Sequence, residues 1–333
     1  MRGGKLACTL CIPVLKLHDE GFYDRRSAHL PVRRIRNDAE QIDVTMIDLH
    51  MHSTSSDGSY DAAALPEIAL AQGLNAIALT DHDTVGGVDA FLAACESVSA
   101  QGEHVVRGVT GVEVSVSGRL GSMHLLGYNF DHHHAEMVRV LERIGGERRQ
   151  RNETILNNLN DRGFGITMEQ VAGLAGGDIV GRPHFAQALL DGGHVATRRE
   201  AFDRYIGDRG SCYETGFRFS VEEAIACIHS ASGVAVLAHP FVLRLGTNAL
   251  DAYVGELAEM GLDGLELHYP EHTGRQMREI TRLTEKYNLI GTGGSDFHGA
   301  PNPDIRMGLG FGTLNVPDSV LDTLEARCAA LKT

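Results

Sequence analysis

From Met46 onward the apolar positions fall into short runs separated by longer stretches in which they recur every three or four residues, the rhythm of strands alternating with amphipathic helices. Ile47, Asp48 and Leu49 read as the end of a first buried strand. A helix is predicted from about Ala62 to Gln72, stopping at Gly73, then a strand from Ala76 to Leu79, a helix from Val88 to Ala100, and strand-forming segments at Val105 to Val116 and Met123 to Phe130. Between about Ala135 and Ser220 the rhythm breaks. Helical stretches at Ala135 to Arg162, Thr167 to Ala175, Pro183 to Leu190 and Arg199 to Ile206 follow one another with glycines between them, which predicts a helical insertion. The alternation then resumes with a helix at Val221 to Ser230, a strand at Val234 to Ala238, a helix near Ala249 to Met260, a strand at Gly264 to His268, a helix reaching Tyr287 and a strand at Leu289 to Gly291. Short strands alternating with amphipathic helices predict an α/β fold built on a parallel sheet.

Residues 1–45 do not share this pattern. An apolar run from Leu6 to Leu17 leads into a stretch carrying Arg25, Arg26, Arg33, Arg34 and Arg36, and Met46 stands directly before the first strand. The reading is an accessory tail ahead of a domain that begins at Met46, without the small-residue cleavage site of a secretory signal. Composition narrows the class. With 333 residues and 43% hydrophobic content the chain can bury a large core, while a net charge of -14 argues against binding nucleic acid through the overall field. An anionic substrate then needs metals or arginines to hold it. No apolar run reaches the roughly 18 residues of a membrane span. Six cysteines without framework spacing, with Cys8 and Cys11 the only close pair, fit reduced thiols and a cytoplasmic protein.

The candidate chemistry gathers where the predicted strands end. His50 and His52 lie two apart, on one side of an extended chain, and Asp57 follows in a Ser/Thr/Gly-rich loop. His82 closes the second strand, Glu113 and His124 lie in the next two, His239 follows the strand at Val234 to Ala238, and Asp296 and His298 follow the last. Catalytic residues of parallel α/β barrels collect on that face. Six imidazoles and three carboxylates suffice for two or three divalent metals, and paired metals can clamp both oxygens of a phosphoryl transfer. With only nitrogen and oxygen ligands, manganese is the expected metal, with zinc or ferrous iron as the other candidates. The site should be hydrolytic.

The segments HMH with its following Asp, TDHDT, GVEVS, HLLGY, GGVAVLAHP and GSDFHG, in this order, resemble the PHP (polymerase and histidinol phosphatase) family of metal-dependent phosphoesterases. The resemblance implies a distorted seven-stranded (β/α) barrel, similar to a TIM barrel. Together with the insertion and GRPHFAQALL at Gly181 to Leu190, it points to the subgroup of nucleoside 3′,5′-bisphosphate phosphatases and the related 5′-end exonuclease. It further implies that His50, His52, Glu113 and Asp296 hold one metal, that Glu113 bridges to a second held by His124 and His239, and that Asp57, His82 and His298 hold a third. Asp57, His82, Glu113 and His239 are then the residues closest to catalysis, with water activated on the metals attacking phosphorus. One departure is visible: where the family often has a glycine and an arginine after the His-Pro pair, this chain has Phe241-Val242-Leu243-Arg244.

The expected substrate is a small phosphorylated nucleotide or a short oligonucleotide, with no membrane and no particular protein partner. Alternatives are histidinol phosphatase and a non-catalytic module of the kind attached to replicative polymerases. Arg182 is the favoured contact for a second phosphate, because Gly181 lets the chain turn and Pro183 suits a helix start. His184, Arg148 and Arg149 are the further substrate-binding candidates, with Arg151 and Arg244 in reserve. Asp81 or Asp83 is expected to orient a ligand imidazole. His132, His133 and His134 are read as a solvated loop, and His229, His268 and His272 as surface positions.

Overall fold

The computed structural model describes residues 46–332 except 101–103, 176, 178, 208 and 215–218. The expectations for residues 1–45, including Cys8 and Cys11, lie outside the described residues. The elements are β1 (Met46–Asp48), α1 (Leu65–Gln72), β2 (Leu74–Leu79), α2 (Val88–Ala100), β3 (Arg107–Gly118), β4 (Gly121–Tyr128), α3 (Ala135–Asn160), α4 (Met168–Gly173), α5 (Arg182–Asp191), α6 (Arg198–Ala201), β5 (Phe219–Ser220), α7 (Val221–Ser230), β6 (Val234–Leu237), α8 (Thr247–Glu259), β7 (Gly264–His268), α9 (Gly274–Tyr287), β8 (Ile290–Gly293) and α10 (Ser319–Leu331). Among these residues no helix is long and apolar enough to cross a membrane.

The strands form one mostly parallel sheet in the order β1-β2-β3-β4-β6-β7-β8, with the two-residue β5 paired to β3. The expectation of an all-parallel sheet is corrected at β4, which runs antiparallel to both β3 and β6. Only Arg119 and Leu120 separate β3 from β4, and a link that short makes a hairpin, whereas a parallel crossover needs a dozen residues or more. Gly121, at φ 115°, takes the turn geometry that side chains resist.

Local chemistry sets the helix ends. Thr167, Ser220 and Thr273 each open a helix through a capping box, and α1 ends where Gly73 adopts φ 75°. The first predicted helix divides into a 3₁₀ turn at Ala62–Ala64 and α1, with Pro66 at the new start. The predicted helix from Arg199 to Ile206 is a single α-turn, α6, running into a π-helix at Phe202–Ile206.

One apolar layer lies inside the sheet, made of alternate residues such as Leu49, Ala78, Val109, Leu126, Tyr128 and Val236, and it is completed by Val320, Leu324 and Cys328 of α10. Helices α7, α8 and α9 pack outside β3, β4, β6 and β7, and α1 and α2 cover β1 and β2. The insertion keeps a small core of its own, with Ile155, Leu159, Phe185, Leu189, Ile206 and Cys212 buried together.

Candidate metal centre

All nine side chains singled out at predicted strand ends converge on one face of the sheet. Glu113 and His124 reach it by a different route from the rest. β2 pairs with β3 only as far as Thr110, so Glu113 lies three residues past that pairing, on the part of β3 that continues with β4. β4 runs the opposite way, and His124, opposite Ser115, is delivered to the same face from the first half of its strand. The expectation that His124 sits at a strand's carboxyl end is corrected accordingly.

Glu113 is buried at the centre. Its Oε2 lies 3.3 Å from His50 Nε2, 3.3 Å from His52 Nε2 and 3.0 Å from His82 Nδ1, while Oε1 lies 2.7 Å from His124 Nδ1 and 3.1 Å from His239 Nε2. Asp296 Oδ1 faces the same two nitrogens of His50 and His52, at 3.3 and 3.1 Å. On the outer side, Asp57 lies 3.2 Å from His298 Nε2 and 3.8 Å from both His82 Nε2 and His52 Nδ1. Among these nine side chains three groups have ligand atoms within 4.8 Å of one another: His50, His52, Glu113 and Asp296; His82, Glu113 and His124; and His52, Asp57, His82 and His298. His52 and His82 each turn one nitrogen toward Glu113 and the other toward Asp57.

These donors fit divalent metals. His50 Nε2, His52 Nε2, His82 Nδ1, Glu113 Oε2 and His124 Nδ1 are buried with no hydrogen-bond partner. Leaving such atoms unpaired costs roughly 1 to 3 kcal/mol apiece, and cations held in the first two of these groups would satisfy all five. Charge tells the same story. Burial pushes the His50 imidazole toward neutrality, but Glu266, Asp296 and Glu113 outweigh it and raise its pKa well above the usual range. Burial acts on His52 in the same way, yet the Asp296 and Glu113 carboxylates beside Nε2 outweigh it and push its pKa up to about 10. Glu113 and Asp296 resist burial through their imidazole neighbours and stay well below the ordinary carboxylate range. His82 goes the other way, to about 3, because burial and the adjacent imidazoles of His52 and His124 outweigh the attraction of Glu113 and Asp57.

Two buried carboxylates that the sequence reading passed over hold this cluster in place. Glu266, on β7, lies 2.8 Å from His50 Nδ1 and accepts a 2.7 Å hydrogen bond from the His239 amide. A carboxylate can only accept, so Nδ1 keeps a proton and Nε2, the nitrogen facing Glu113 and Asp296, is the one a metal would take. Asp48, on β1, accepts from the Ser295 amide at 2.8 Å, the Ser295 hydroxyl at 2.5 Å, the Gly308 amide at 2.7 Å and the His50 amide at 3.2 Å. It ties the first strand's end to the loop carrying Asp296. The available signal was an acid inside an apolar strand, in MIDLH and in GLELH. Tyr269 adds a 3.1 Å hydrogen bond from its hydroxyl to Asp296 Oδ2. His239 and Asp296 have φ of 29° and 56°, left-handed geometry that side chains rarely adopt and that the surrounding hydrogen bonds sustain.

Neither flanking acid contacts an imidazole directly. Asp81 accepts from the Ser53 amide at 2.7 Å and from the hydroxyls of Ser53 at 2.6 Å and Ser56 at 2.5 Å, and Ser56 in turn lies 3.5 Å from His52 Nδ1. Asp83 accepts from the Ser115 amide at 2.6 Å and from Arg148. A cavity of about 280 Å³ opens beside the metal-binding face, lined by Asp57, His82, His124, Arg148, Arg182 and His184 among others. Arg151 also lines it, and burial beside Arg151 lowers the Arg148 pKa to about 10. Arg182 opens α5, lies over the Tyr213 ring and donates to the Ile206 carbonyl at 3.5 Å, and His184 Nδ1 accepts from the Gly181 amide at 2.9 Å. Arg149 is the exception among the expected substrate contacts. One position further along α3 it points to a separate depression beside Thr84, Gly86 and Glu142. Of the three histidines read as surface positions, His229 is paired with Asp263 at 2.8 Å, and His268 and His272 are half-buried.

The sequence from residue 48 to 206 matches the PHP domain. A 5′-3′ exoribonuclease of Haemophilus influenzae is 32% identical over 278 residues, covering 84% of this chain and 97% of that protein. The chain belongs to the PHP family. The 3′,5′-nucleoside bisphosphate phosphatase of Chromobacterium violaceum is 29% identical over 263 residues, covering 76% of this chain and 87% of that one. Among solved structures, a Chromobacterium violaceum protein described as an amidohydrolase with bound sulfate superposes with a TM-score of 0.72 at 27% identity, covering 85% of this chain and 97% of the other. As a member of this family the protein is a metal-dependent phosphoesterase, a hydrolase of phosphoric esters.

Proposed function

We propose that this phosphoesterase removes a phosphate from nucleosides phosphorylated at both the 3′ and 5′ positions and also acts on the 5′ ends of short RNA or DNA. The observation that carries the reading is the open edge of the imidazole and carboxylate cluster, which forms one wall of a cavity whose other walls carry Arg148, Arg151, Arg182 and His184. A site of that kind receives an anion, in a chain whose net charge of -14 would otherwise repel it. The relatives named for a bisphosphate nucleoside and for RNA supply the substrate class.

We assign the metals as two or three divalent ions, manganese first. His50, His52, Glu113 and Asp296 would hold one, His124 and His239 with the other oxygen of Glu113 a second, and Asp57, His82 and His298 a third. The division of the two Glu113 oxygens between the His50/His52 and His124/His239 pairs supports a bridging role. When bound, such metals lower the pKa of water and neutralise charge on a phosphoryl oxygen. The chain's own residues do the rest. Glu266 fixes which His50 nitrogen bears the proton, and Asp57 and His82 line the rim where the scissile phosphate arrives. Arg148, anchored by Asp83 and the Ser115 hydroxyl, and Arg182, at a helix start, present fixed cations to the phosphate groups.

The barrel reading is supported by contacts between the two sheet edges: Leu49 donates to the Gly293 carbonyl at 3.1 Å, His52 to the Phe297 carbonyl at 2.9 Å, and Asp296 to the His50 carbonyl at 2.8 Å. We take residues 46–333 as the catalytic domain with the insertion at about 135–220, and place the protein in the cytoplasm on its free cysteines Cys95, Cys212, Cys227 and Cys328. Phosphate release from adenosine 3′,5′-bisphosphate, histidinol phosphate and a short 5′-phosphorylated RNA, each with added Mn²⁺, tests the function. Turnover of the nucleotide substrates is expected. Turnover of histidinol phosphate alone would overturn the reading.

A further inference from the structure

The turn after His239 is the segment in which this chain departs from the family pattern, and it builds a second concavity. Pro240–Leu243 forms a short 3₁₀ turn that ends at Arg244 with φ 54°. The turn leaves Val242 57% exposed and Phe241 half-buried beside it. Opposite them lie Phe202 of the insertion and Tyr269 and His272 of the loop after β7, around a groove of about 790 Å³. Arg182 and Phe202 line both this groove and the smaller cavity beside the candidate metal ligands, so the two adjoin.

The rings are not packed as an ordinary core. Tyr269 lies 5.5 Å from His239, His272 lies 5.2 Å from Tyr269, and Phe241 lies 5.5 Å from His272, a run of aromatic rings leading outward from a candidate metal ligand. Each of Tyr269, His272 and Phe241 is only half-buried. His272 Nδ1 lies 3.0 Å from the Leu267 carbonyl, to which it can only donate, and this fixes the ring; burial lowers its pKa, which keeps it neutral. Among the described residues the groove carries the cations Arg182 and Arg244 against one lining carboxylate, Glu271.

Flat rings interleaved with arginines are the means by which proteins hold single-stranded nucleic acid irrespective of base, through stacking and phosphate contacts. We propose that this groove binds the nucleotides that follow the 5′ end of an oligonucleotide whose first phosphate lies in the adjoining cavity, with bases against Phe241 and His272 and backbone phosphate near Arg244. The inference rests on the phosphoesterase reading of that cavity and extends it. A nucleoside bisphosphate fills the inner cavity alone, whereas a longer chain gains the groove.

Two variants test it. Phe241→Leu keeps the apolar packing and removes the ring, and Val242→Glu places a negative charge at an exposed position on the groove rim. Binding of a 5′-phosphorylated, 3′-fluorescein pentanucleotide, as RNA and as DNA, is followed by anisotropy in EDTA. Hydrolysis of the same pentanucleotide and of adenosine 3′,5′-bisphosphate is followed in Mn²⁺. Stacking of one base corresponds to at least about a fivefold change in affinity, so both variants should bind the pentanucleotide at least about fivefold more weakly. They should lose the same factor in pentanucleotide kcat/KM while turning over the bisphosphate at the wild-type rate. Unchanged pentanucleotide binding in both variants, no binding by the wild type, or an equal loss on both substrates would overturn the groove assignment. Wild-type protein that binds the pentanucleotide through the groove yet hydrolyses neither substrate would sustain the groove and refute the substrate reading instead.

Discussion

Replacing Glu266 by glutamine changes one atom's chemistry without changing the side chain's shape, and the structure says what must follow. Glu266 accepts on both oxygens, near His50 Nδ1 at 2.8 Å and from the His239 amide at 2.7 Å. A carboxamide has one acceptor and one donor end. If the NH₂ group faces His239, two donors meet and the amide is left unpaired in a buried position. If it faces His50, Nδ1 must accept, and the ring proton moves to Nε2, the nitrogen directed at Glu113 and Asp296, where it blocks metal coordination. Either outcome takes the negative charge out of these hydrogen bonds, and a hydrogen bond to a charged group is worth about 1.5 to 3 kcal/mol. Loss of such outer partners weakens metal binding by about 10- to 100-fold. Glu266→Gln should therefore hold one metal about 10- to 100-fold more weakly while still folding. Competition with a chelator of known affinity, followed by elemental analysis, measures this directly, and circular dichroism checks the fold. A variant that is folded and binds every metal with wild-type affinity would refute both the tautomer argument and the place of His50 among the ligands.

Glu113→Gln should lower metal content and activity together with the fold retained, and elemental analysis showing full stoichiometry with normal turnover would remove Glu113 from its bridging role. Arg182→Ala, with metal content unchanged, should lose about 1.5 to 3 kcal/mol in kcat/KM toward nucleoside bisphosphates and much less toward a monophosphate, the scale of one charged hydrogen bond; an equal loss on both assigns the second phosphate to another arginine. In the metal-free protein His52 is raised to about 10, so its proton stabilises the fold fully below the ordinary imidazole pKa of 6.5 and that contribution fades as pH climbs toward about 10. Metals must displace that proton. Metal affinity should consequently rise across this window and binding at pH 7 should release protons, which calorimetry in two buffers of different ionisation enthalpy detects; a proton balance of zero would refute it.

The convergence of the candidate metal ligands was legible because they are of unusual type and sit at the ends of apolar runs, so local sequence alone marks His50, His52, His82, Asp296 and His298. Its supports were not. Asp48 and Glu266 look like single flaws in apolar strands until the fold brings Ser295, Gly308 and His239 to them. Strand direction was invisible as well, since apolar alternation in Met123 to Phe130 is the same whichever way the strand runs, and only the two-residue link to β3 settles it. The helix α10 has no counterpart in the sequence reading, although Val320, Leu324 and Cys328 recur every fourth residue as a helix face requires. The groove joins Arg182 with residues 202–207, 241–244 and 269–276, four parts of the chain that are separate in sequence, and no local pattern can announce such a meeting.

The layer inside the sheet has a consequence for how the chain comes to be folded. Ile47 donates to the Val316 carbonyl at 3.0 Å, and the side chains of the first strands close against Val316, Val320 and Leu324. Contacts between segments so distant in sequence are formed late and slowly, because a long loop must close before any of them is rewarded. During synthesis, then, the earliest strands leave the ribosome with their inward faces uncovered, and they stay so until residues beyond Val316 have followed. For that interval association through these apolar faces competes with folding.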